Sequence, residues 1–320
     1  MTTSSGSREI IEFKDKEEWL SLRDNDITST ATAALFGLSP YATEFEIYHE
    51  KKYGTKKDFK VTDRMEKGDR LEQAIAVEIA MQEGFTDLKP FKTYMRIPEF
   101  NIGSSFDYEA IDKTGSPILI EIKAVDYFIH RDQWSEDEAP PHIEVQTQHE
   151  LLVADRFERA CIVACTGIYD YYPVYRERDH SMGAAITKRI LNFWNDVKNG
   201  NEPDVNYEMD AEVINAMFPN IRPEPDDRTE DKDFCDLLRR FDLANMQKNE
   251  FEKQAKSLKA EIHHKLGDAP AAFTERYKVT SGRTKDNPGK EVTQDMVGTI
   301  QGKRKGFRQC LVKDIIGVKE

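Results

Sequence analysis

The sequence lacks the features of secreted, membrane-spanning and metal-cluster proteins. Only four of its 320 residues are cysteine. They include no Cys-x-x-Cys pair and have no histidines at zinc-ligand spacing, so small buried apolar positions are the simpler interpretation. The cysteines are Cys161, Cys165, Cys235 and Cys310. No apolar run approaches a membrane span, and the Ser/Thr-rich N-terminus has no signal-peptide core. A reducing, cytoplasmic setting without a membrane partner is expected.

Positive charge is also scarce, because 46 Lys and Arg stand against 59 Asp and Glu and give a formal net charge of −13. This balance by itself argues against nucleic acid as a partner. The distribution is uneven, since residues 267–320 carry eleven basic and seven acidic side chains. A locally basic channel beside acids that hold metal ions is compatible with these totals. No Gly-x4-Gly-Lys-Ser/Thr loop is present, which argues against ATP-driven unwinding.

The periodicity of apolar residues predicts an α/β fold in which helices flank a central sheet. The predicted helices cover 17–25, 64–83, 143–154 and 181–198, and the predicted strands cover 93–97, 102–111, 117–125, 159–168 and 169–176. In the second of these helices four apolar residues are expected mostly on the inner side, namely Leu71, Ile75, Val77 and Ile79.

Three parts are predicted along the chain, namely a domain over 1–202, an acidic, proline-rich linker over 203–228 and an extension over 229–320. In the extension, apolar residues recur every three or four positions from Phe234 to Ile262, interrupted by Lys248, which predicts one long helix. That helix either pairs with a partner chain or folds onto its own domain. A small β unit is predicted behind it, over 276–280 and 307–312.

The most informative stretch is 118–123 together with Asp107 upstream. Apolar and other residues alternate along it with the period of a strand, so Glu121 and Lys123 share one face. The turn at 115–117 allows the two segments to pair as a hairpin. Two acids and a lysine held together in this way suit hydrolysis of a phosphodiester with a bound divalent metal. A solvated strand face is the alternative.

A hydroxyl-rich helix start lies upstream at Thr28, Ser29 and Thr30, and Arg23 precedes it. Free backbone N–H groups and hydroxyls at such a start bind phosphate, and an arginine can add a bidentate contact. Ordinary N-capping by Thr28 or Ser29, with Arg23 in solvent, is the alternative. Glu72 on the helix over 64–83 is either a surface residue or an inward one that needs a cation or partner.

Taken in order, these segments resemble the PD-(D/E)XK nuclease superfamily and, within it, the lambda-exonuclease or YqaJ-type viral recombinase family. The matching segments are Leu22-Arg23 with Ile27-Thr28-Ser29-Thr30, then Gly68…Glu72, then Asp107 with Glu121-Ile122-Lys123, then Gln146-Thr147-Gln148. Two departures are Phe106, where the family has proline, and Tyr108, where it has a small residue. Local geometry is therefore expected to differ. The resemblance covers about Glu17 to Asn199.

The resemblance implies a restriction-endonuclease-like core with a mixed sheet, extended here by the long helix and the small β unit. It also implies one or two Mg²⁺ ions per site, for which Mn²⁺ substitutes. The implied metal ligands are Asp107, Glu121, the Ile122 carbonyl and Glu72. Lys123 would orient or deprotonate the attacking water, and Gln146 would position Lys123 or that water. The implied 5′-phosphate contacts are Arg23, Thr30 and Ser29.

The implied activity is 5′→3′ digestion of linear double-stranded DNA from its ends. The product would be a 3′ single-stranded overhang on which a single-strand-annealing protein loads. A phage or prophage origin, action in a bacterial cytoplasm and a ring-shaped trimer are further implications. Two alternatives stay open, namely a restriction-type or RecB-like endonuclease on the same core and a non-catalytic scaffold that binds DNA ends.

Overall fold

The structure is a computed structural model that describes residues 6–55, 63–135, 137–167, 170–218, 223–224, 226–283 and, for the backbone, 308–314. The chain divides into two units, Met1–Ile221 and Arg222–Glu320. Among the described helices, none is both long enough and apolar enough to span a membrane.

The first unit contains eight helices and eight strands among its described residues. The helices are α1 (Lys16–Asp24), α2 (Ser29–Leu35), α3 (Glu44–Tyr53), α4 (Asp63–Glu83), α5 (Tyr127–Gln133), α6 (Pro141–Val153), α7 (His180–Asn199) and α8 (Ala211–Met217). The strands are β1 (Glu9–Glu12), β2 (Thr86–Pro90), β3 (Thr93–Ile97), β4 (Ile102–Ser104), β5 (Tyr108–Ile111), β6 (Pro117–Val125), β7 (Arg159–Thr166) and β8 (Asp170–Glu177). Strands β1 and β2 have no counterpart in the sequence prediction.

A five-stranded mixed sheet in the order β2-β5-β6-β7-β8 forms the centre of the first unit. Strands β6 and β7 pair in parallel, and the other neighbours pair antiparallel. A second sheet has the order β1-β3-β4. Together with the long helix and small antiparallel sheet of the second unit, this architecture confirms the predicted fold class.

Strand β6 is buried on both faces because it lies in the middle of the sheet. Leu119 faces a core built with α2, α6 and α7. Ile118 and Ile120 face a separate core that includes Ile75 and Ile79 of α4. Side chains alternate along a strand, so the positions after Leu119 on its face point toward the α6 layer.

The segment predicted as one strand over 102–111 is two strands in different sheets. Strand β4 pairs with β3, whereas β5 pairs with β6. Between them the chain leaves one sheet and enters the other, and the Asp107 carbonyl accepts a hydrogen bond from Phe91 N at 2.9 Å. Asp107 therefore precedes its strand instead of closing one. The predicted hairpin between this segment and β6 is present.

On α4, the prediction that Leu71 and Val77 face inward was wrong. Their side chains are 48% and 46% exposed, while Ile75 and Ile79 are buried as predicted. Val77 follows Ile75 by two residues, which places it about 200° around the helix and away from the sheet. The angle accounts for the exposure of Val77 alone, because Leu71 stands four residues before Ile75 and shares the angle of the buried stripe.

Part of the segment predicted as a linker is folded into the first unit. Helix α8 lies within it, and its Val213 side chain is buried. Asp210, also buried, accepts hydrogen bonds from the Thr43 hydroxyl and from Asn206 N. A buried carboxylate with two donors belongs to a packed structure, so an acidic composition did not distinguish linker from domain here.

A close backbone approach fixes the turn between α1 and α2 against β4. Ile27 N donates to the Asn101 carbonyl at 2.9 Å, and Gly103 N donates to the Ile27 carbonyl at 3.1 Å. A Cβ atom at Gly103 would lie 2.1 Å from the Tyr94 hydroxyl oxygen. That hydroxyl donates to buried Asp26 at 3.1 Å. Only glycine fits there, and α1 and α2 are thereby held at the edge of β4.

The second unit contains α9 (Lys232–Leu266) and an antiparallel sheet of β9 (Ala271–Phe273), β10 (Tyr277–Arg283) and β11 (Arg308–Asp314). The long helix is present as predicted, and none of its residues is buried. Phe307, at the predicted start of the last strand, lies outside the described residues.

The cysteines differ in their surroundings. Cys161 and Cys165 are buried on β7, as predicted, and burial raises the pKa of Cys161 to about 12. Cys235 on α9 is only half-buried. The side chain of Cys310 lies outside what the structure describes.

Candidate active site

The carboxyl-terminal half of β6 carries two charged side chains on its α6-facing side. Glu121 is only 4% exposed, and Lys123 Nζ donates to its Oε1 at 2.5 Å. Burial alone would lower the pKa of Lys123, but the negative charges of Glu121 and Asp107 outweigh it and raise that pKa. The lysine is therefore held as an ammonium group between carboxylates.

Asp107 lies beside this pair because the turn before β5 directs its side chain toward β6. Its Oδ2 accepts a hydrogen bond from Ile122 N at 2.8 Å. Burial, followed by the charge of Glu121, raises the pKa of Asp107 well above its usual value. The charge of Glu72, half-buried on α4, adds to this effect, and Lys123 opposes it. Four of the predicted site residues thus interact electrostatically across β6 and α4.

Gln146 reaches the same group from α6. Its Nε2 donates to Glu121 Oε1 at 2.7 Å and to Glu150 Oε1 at 2.9 Å, while its Oε1 accepts from Lys123 Nζ at 3.2 Å. The amide therefore contacts the acid, the lysine and a further acid that the sequence reasoning had not placed in the site. Glu150 stands one helical turn after Gln146, and this i, i+4 spacing was the available sequence signal.

The predicted phosphate contacts lie next to the charged cluster. Arg23 Nη2 is 3.5 Å from the Thr30 hydroxyl, and the guanidinium carbon lies 4.5 Å from the centre of the Trp19 ring. Arg23 is therefore not a solvated side chain. The Thr28 side chain makes no capping bond and instead lies 3.2 Å from the Thr30 hydroxyl. Ser29 is buried in the first turn of α2.

Two cavities connect these groups. A cavity of about 190 Å³ is lined by both the charged cluster and the phosphate contacts, namely Arg23, Thr28, Ser29, Thr30, Ser105, Asp107, Glu121, Lys123 and Gln146. A larger one of about 850 Å³ shares Arg23, Thr30, Lys123 and Gln146 and adds Glu72 and Ile122. Sequence reasoning missed Ser105, which accepts a hydrogen bond from Trp19 Nε1 at 2.6 Å.

The donor chemistry of the cluster suits a hard divalent cation. The Glu121 carboxylate is buried, the Asp107 carboxylate is half-buried, and a cation between them would relieve their mutual repulsion. The full ligand set is not preassembled: among the described residues, no three His, Cys, Asp or Glu side chains are placed so that they could hold a metal ion. Lys123 Nζ bonds to the Glu121 oxygen that a cation would use. The residues fit in charge and atom type.

The segment that carries this site is similar to a known protein family. Residues 18–157 match the family model of the YqaJ-like viral recombinase domain. That segment contains every predicted site residue, and the match confirms the resemblance drawn from the motifs. A relative named "Uncharacterized protein YqaJ", from Bacillus subtilis (strain 168), is 24% identical over 317 residues, 94% of this chain and 95% of its own.

Two solved structures are also similar. An alkaline exonuclease (LHK-Exo) from Laribacter hongkongensis has a TM-score of 0.48 and 20% identity, over 58% of this chain and 94% of that one. The same exonuclease in complex with dAMP has a TM-score of 0.45 and 21% identity, with the same coverage.

Proposed function

We propose that this chain is a Mg²⁺-dependent 5′→3′ exonuclease that digests linear double-stranded DNA and leaves a 3′ single-stranded overhang. The observation that carries the proposal is one cavity lined by an Asp–Glu–Lys cluster and by Arg23 with Thr30. The cluster has the residue types for hydrolysing a phosphodiester, and the arginine with its hydroxyl has those for binding a terminal phosphate.

In this proposal Asp107, Glu121, the Ile122 carbonyl and Glu72 hold one or two Mg²⁺ ions, for which Mn²⁺ substitutes. Such an ion would supply polarisation of the scissile phosphate and a lower pKa for the attacking water. Since the Ile122 N–H already fixes the Asp107 carboxylate at 2.8 Å, one ligand is oriented in advance.

Lys123 supplies positive charge where negative charge develops on the phosphate. Its ammonium group, which donates to Glu121 Oε1 at 2.5 Å, suits this role. Gln146 holds the ammonium group by accepting from Nζ. Loss of the lysine charge would therefore affect the transition state more than the binding of DNA.

Arg23, Thr30 and Ser29 would hold the 5′ phosphate and so make digestion depend on a DNA end. The annealing partner for the overhang and a trimeric assembly are expectations from the resemblance. Action on DNA in a bacterial cytoplasm, from a phage or prophage gene, fits a viral recombinase domain.

The decisive experiment offers the full chain three substrates with Mg²⁺, namely linear duplex with 5′-phosphate ends, the same duplex with 5′-hydroxyl ends, and closed circles. We expect fast digestion of the phosphorylated linear duplex only. Cutting of circles would instead favour an endonuclease, and no digestion of any form would favour a scaffold. Digestion that survives both Lys123→Ala and Asp107→Ala would overturn the proposed site.

End recognition is tested with Arg23→Gln. Loss of one charge-assisted contact of about 1.5–3 kcal/mol predicts a fall of roughly 10- to 150-fold in kcat/KM on phosphorylated ends, with little change on hydroxyl ends. Arg156→Gln is the matched control, because Arg156 also stacks on an aromatic ring, 4.7 Å from the centre of Phe157, but does not line the cavities. Equal losses on both kinds of end would contradict the phosphate role.

A further inference from the structure

Glu150 is a buried acid for which neither the motifs nor the proposed reaction has a use. It is 1% exposed on α6. Its Oε1 accepts from Gln146 Nε2 at 2.9 Å, while Oε2 has no hydrogen-bond partner among the described residues. A carboxylate buried with half of its hydrogen-bonding capacity unused is costly for the fold. It is therefore a candidate for a role at the neighbouring site.

The Gln146 amide can perform its part in only one orientation. Its two N–H donors point at carboxylate oxygens of Glu121 and Glu150, and its carbonyl consequently faces the Lys123 ammonium. A rotation that exchanged the oxygen and nitrogen would set an NH₂ group against an ammonium group and a carbonyl against two carboxylates. The amide orientation is thus determined by its three neighbours, the Glu121 and Glu150 carboxyl groups and the Lys123 ammonium group.

Two of those three neighbours take on further partners in the proposed reaction. Glu121 would turn an oxygen to the cation, and Lys123 would donate to the phosphate and the attacking water as well as to Gln146. Glu150 is the neighbour whose contact stays unchanged, because it sits one turn along the same helix as Gln146 and is enclosed in the core. When Glu121 and Lys123 also contact the cation and the phosphate, the Glu150 Oε1 still accepts one hydrogen bond from the Gln146 amide and keeps it in place.

We propose that Glu150 is a positioning residue that holds the Gln146 amide in the orientation in which its carbonyl faces Lys123. The inference rests on the proposed nuclease function for its consequence in catalysis, but the contact itself belongs to the folded chain. Glu150 touches neither substrate nor metal in this role. It acts only through Gln146.

The kinetic test uses Glu150→Leu and the conservative Glu150→Gln on phosphorylated linear duplex. We expect Glu150→Leu to lower kcat about tenfold with KM within about twofold, as for a loss felt mainly in the transition state. Glu150→Gln keeps an acceptor oxygen and should retain at least about a third of kcat. Thr147→Val is the matched control and should leave kcat unchanged, because among the described residues its buried hydroxyl donates to the Ile143 carbonyl of the same helix.

A double-mutant cycle separates positioning from general damage to the fold. In a Gln146→Ala background, Glu150→Leu should cause no further loss of kcat, because the residue through which it acts is already gone. An additional tenfold loss there would overturn the proposal. So would a Glu150→Leu enzyme with kcat within twofold of the native chain, or a Glu150→Gln enzyme as slow as the Leu variant.

A readout without activity keeps the inference testable on its own. In the chain labelled with ¹⁵N-glutamine, the Gln146 side-chain NH₂ signals are identified by their loss in Gln146→Ala. We expect them to be shifted away from those of exposed glutamines in the native chain and in Glu150→Gln, and to move toward them in Glu150→Leu. Unmoved signals would overturn the inference even if the nuclease function holds. A native chain that digests no DNA would overturn the function while this test still decides the contact.

Discussion

Helices α6 and α9 are opposite in what they bury. In α6, nine of thirteen residues are buried, and five of those are polar, from Gln146 to Glu150. In α9, none of the 35 residues is buried, although Phe241 and Leu258 are among its apolar side chains. In these two helices, hydrophobicity alone does not decide which side chains are buried. Polar groups are buried where they meet one another at the site.

The two helices are also stabilised differently. The polar residues of α6 depend on partners from elsewhere in the fold, as when Gln148 Nε2 donates to the Glu177 carbonyl at 2.9 Å. In α9 the visible support is local, with Asp231 accepting from Phe234 N at 3.0 Å and Lys265 paired to Glu261 at 2.9 Å. Such exposed i, i+4 pairs contribute only a few tenths of a kcal/mol. Changes in α6 and its partners should therefore have much larger effects.

The largest expected effect is on Asp107, which lies beside Glu121 and accepts from Ile122 N. Asp107→Asn should lower the digestion rate at least about 1,000-fold, since several kcal/mol of metal-assisted stabilisation would be lost. It should also raise the Tm at neutral pH. Because the pKa of Asp107 is raised in the fold, its charged form is less favourable there than in the unfolded chain.

Asp112→Asn is the control for that prediction. Hydrogen bonds from Thr114 and Ser116 lower the pKa of Asp112, so its charged form stabilises the fold, and the substitution should lower Tm while leaving digestion intact. Activity assays and thermal unfolding on both variants check the pair. A fall in Tm for Asp107→Asn would contradict the electrostatic account of the site.

The next largest effect is on the free energy of unfolding, and it compares one leucine on each of the two helices. Leu151 on α6 is 0% exposed, and Leu258 on α9 is 60% exposed. Leu151→Ala should cost about 2–5 kcal/mol through the cavity it leaves, whereas Leu258→Ala should cost less than about 0.5 kcal/mol. Urea denaturation read by hydrogen exchange in each unit measures both. Equal costs would show that α9 is covered in solution and would remove the contrast.

A smaller, pH-dependent effect concerns His149 on α6. Burial lowers its pKa to about 4. Its Nε2–H donates to the Gly103 carbonyl at 3.1 Å, and its Nδ1 accepts from the Thr32 hydroxyl at 2.7 Å. In the unfolded chain the pKa of His149 is about 6.5, so the side chain binds a proton there that it does not bind in the folded chain. The free energy of unfolding therefore falls as the pH drops from about 6.5 to 4, by roughly 3 kcal/mol in all.

His149→Gln should remove most of that slope, because glutamine offers one donor and one acceptor but does not titrate. Urea denaturation at pH 7, 6 and 5 measures the slope in each variant. His264→Gln, at an exposed position of α9, should leave it as in the native chain. If the slope is unchanged in His149→Gln, another group is responsible.

Sequence patterns predicted the elements whose burial follows one simple period. Alternation along 118–123 identified β6 and the shared face of Glu121 and Lys123, and the motifs brought Gln146 and Arg23 to the same site. The change of sheet between β4 and β5 was not predictable, because the alternation of apolar residues continues through it. The role of Gly103 could not be predicted from the sequence either, because only the folded structure brings the Tyr94 hydroxyl against it.

Because β6 and β7 pair in parallel, the site can form only late during synthesis of the chain. A ribosome delivers the chain from its N-terminus, so Asp107 and Glu121 emerge well before Gln146 and before β7, which ends at Thr166. A parallel neighbour cannot be added by a tight turn and must wait for the whole crossover segment. The nascent chain therefore carries the acids without the helix and strand that fix them. Synthesis order alone withholds an assembled site until the domain is nearly complete.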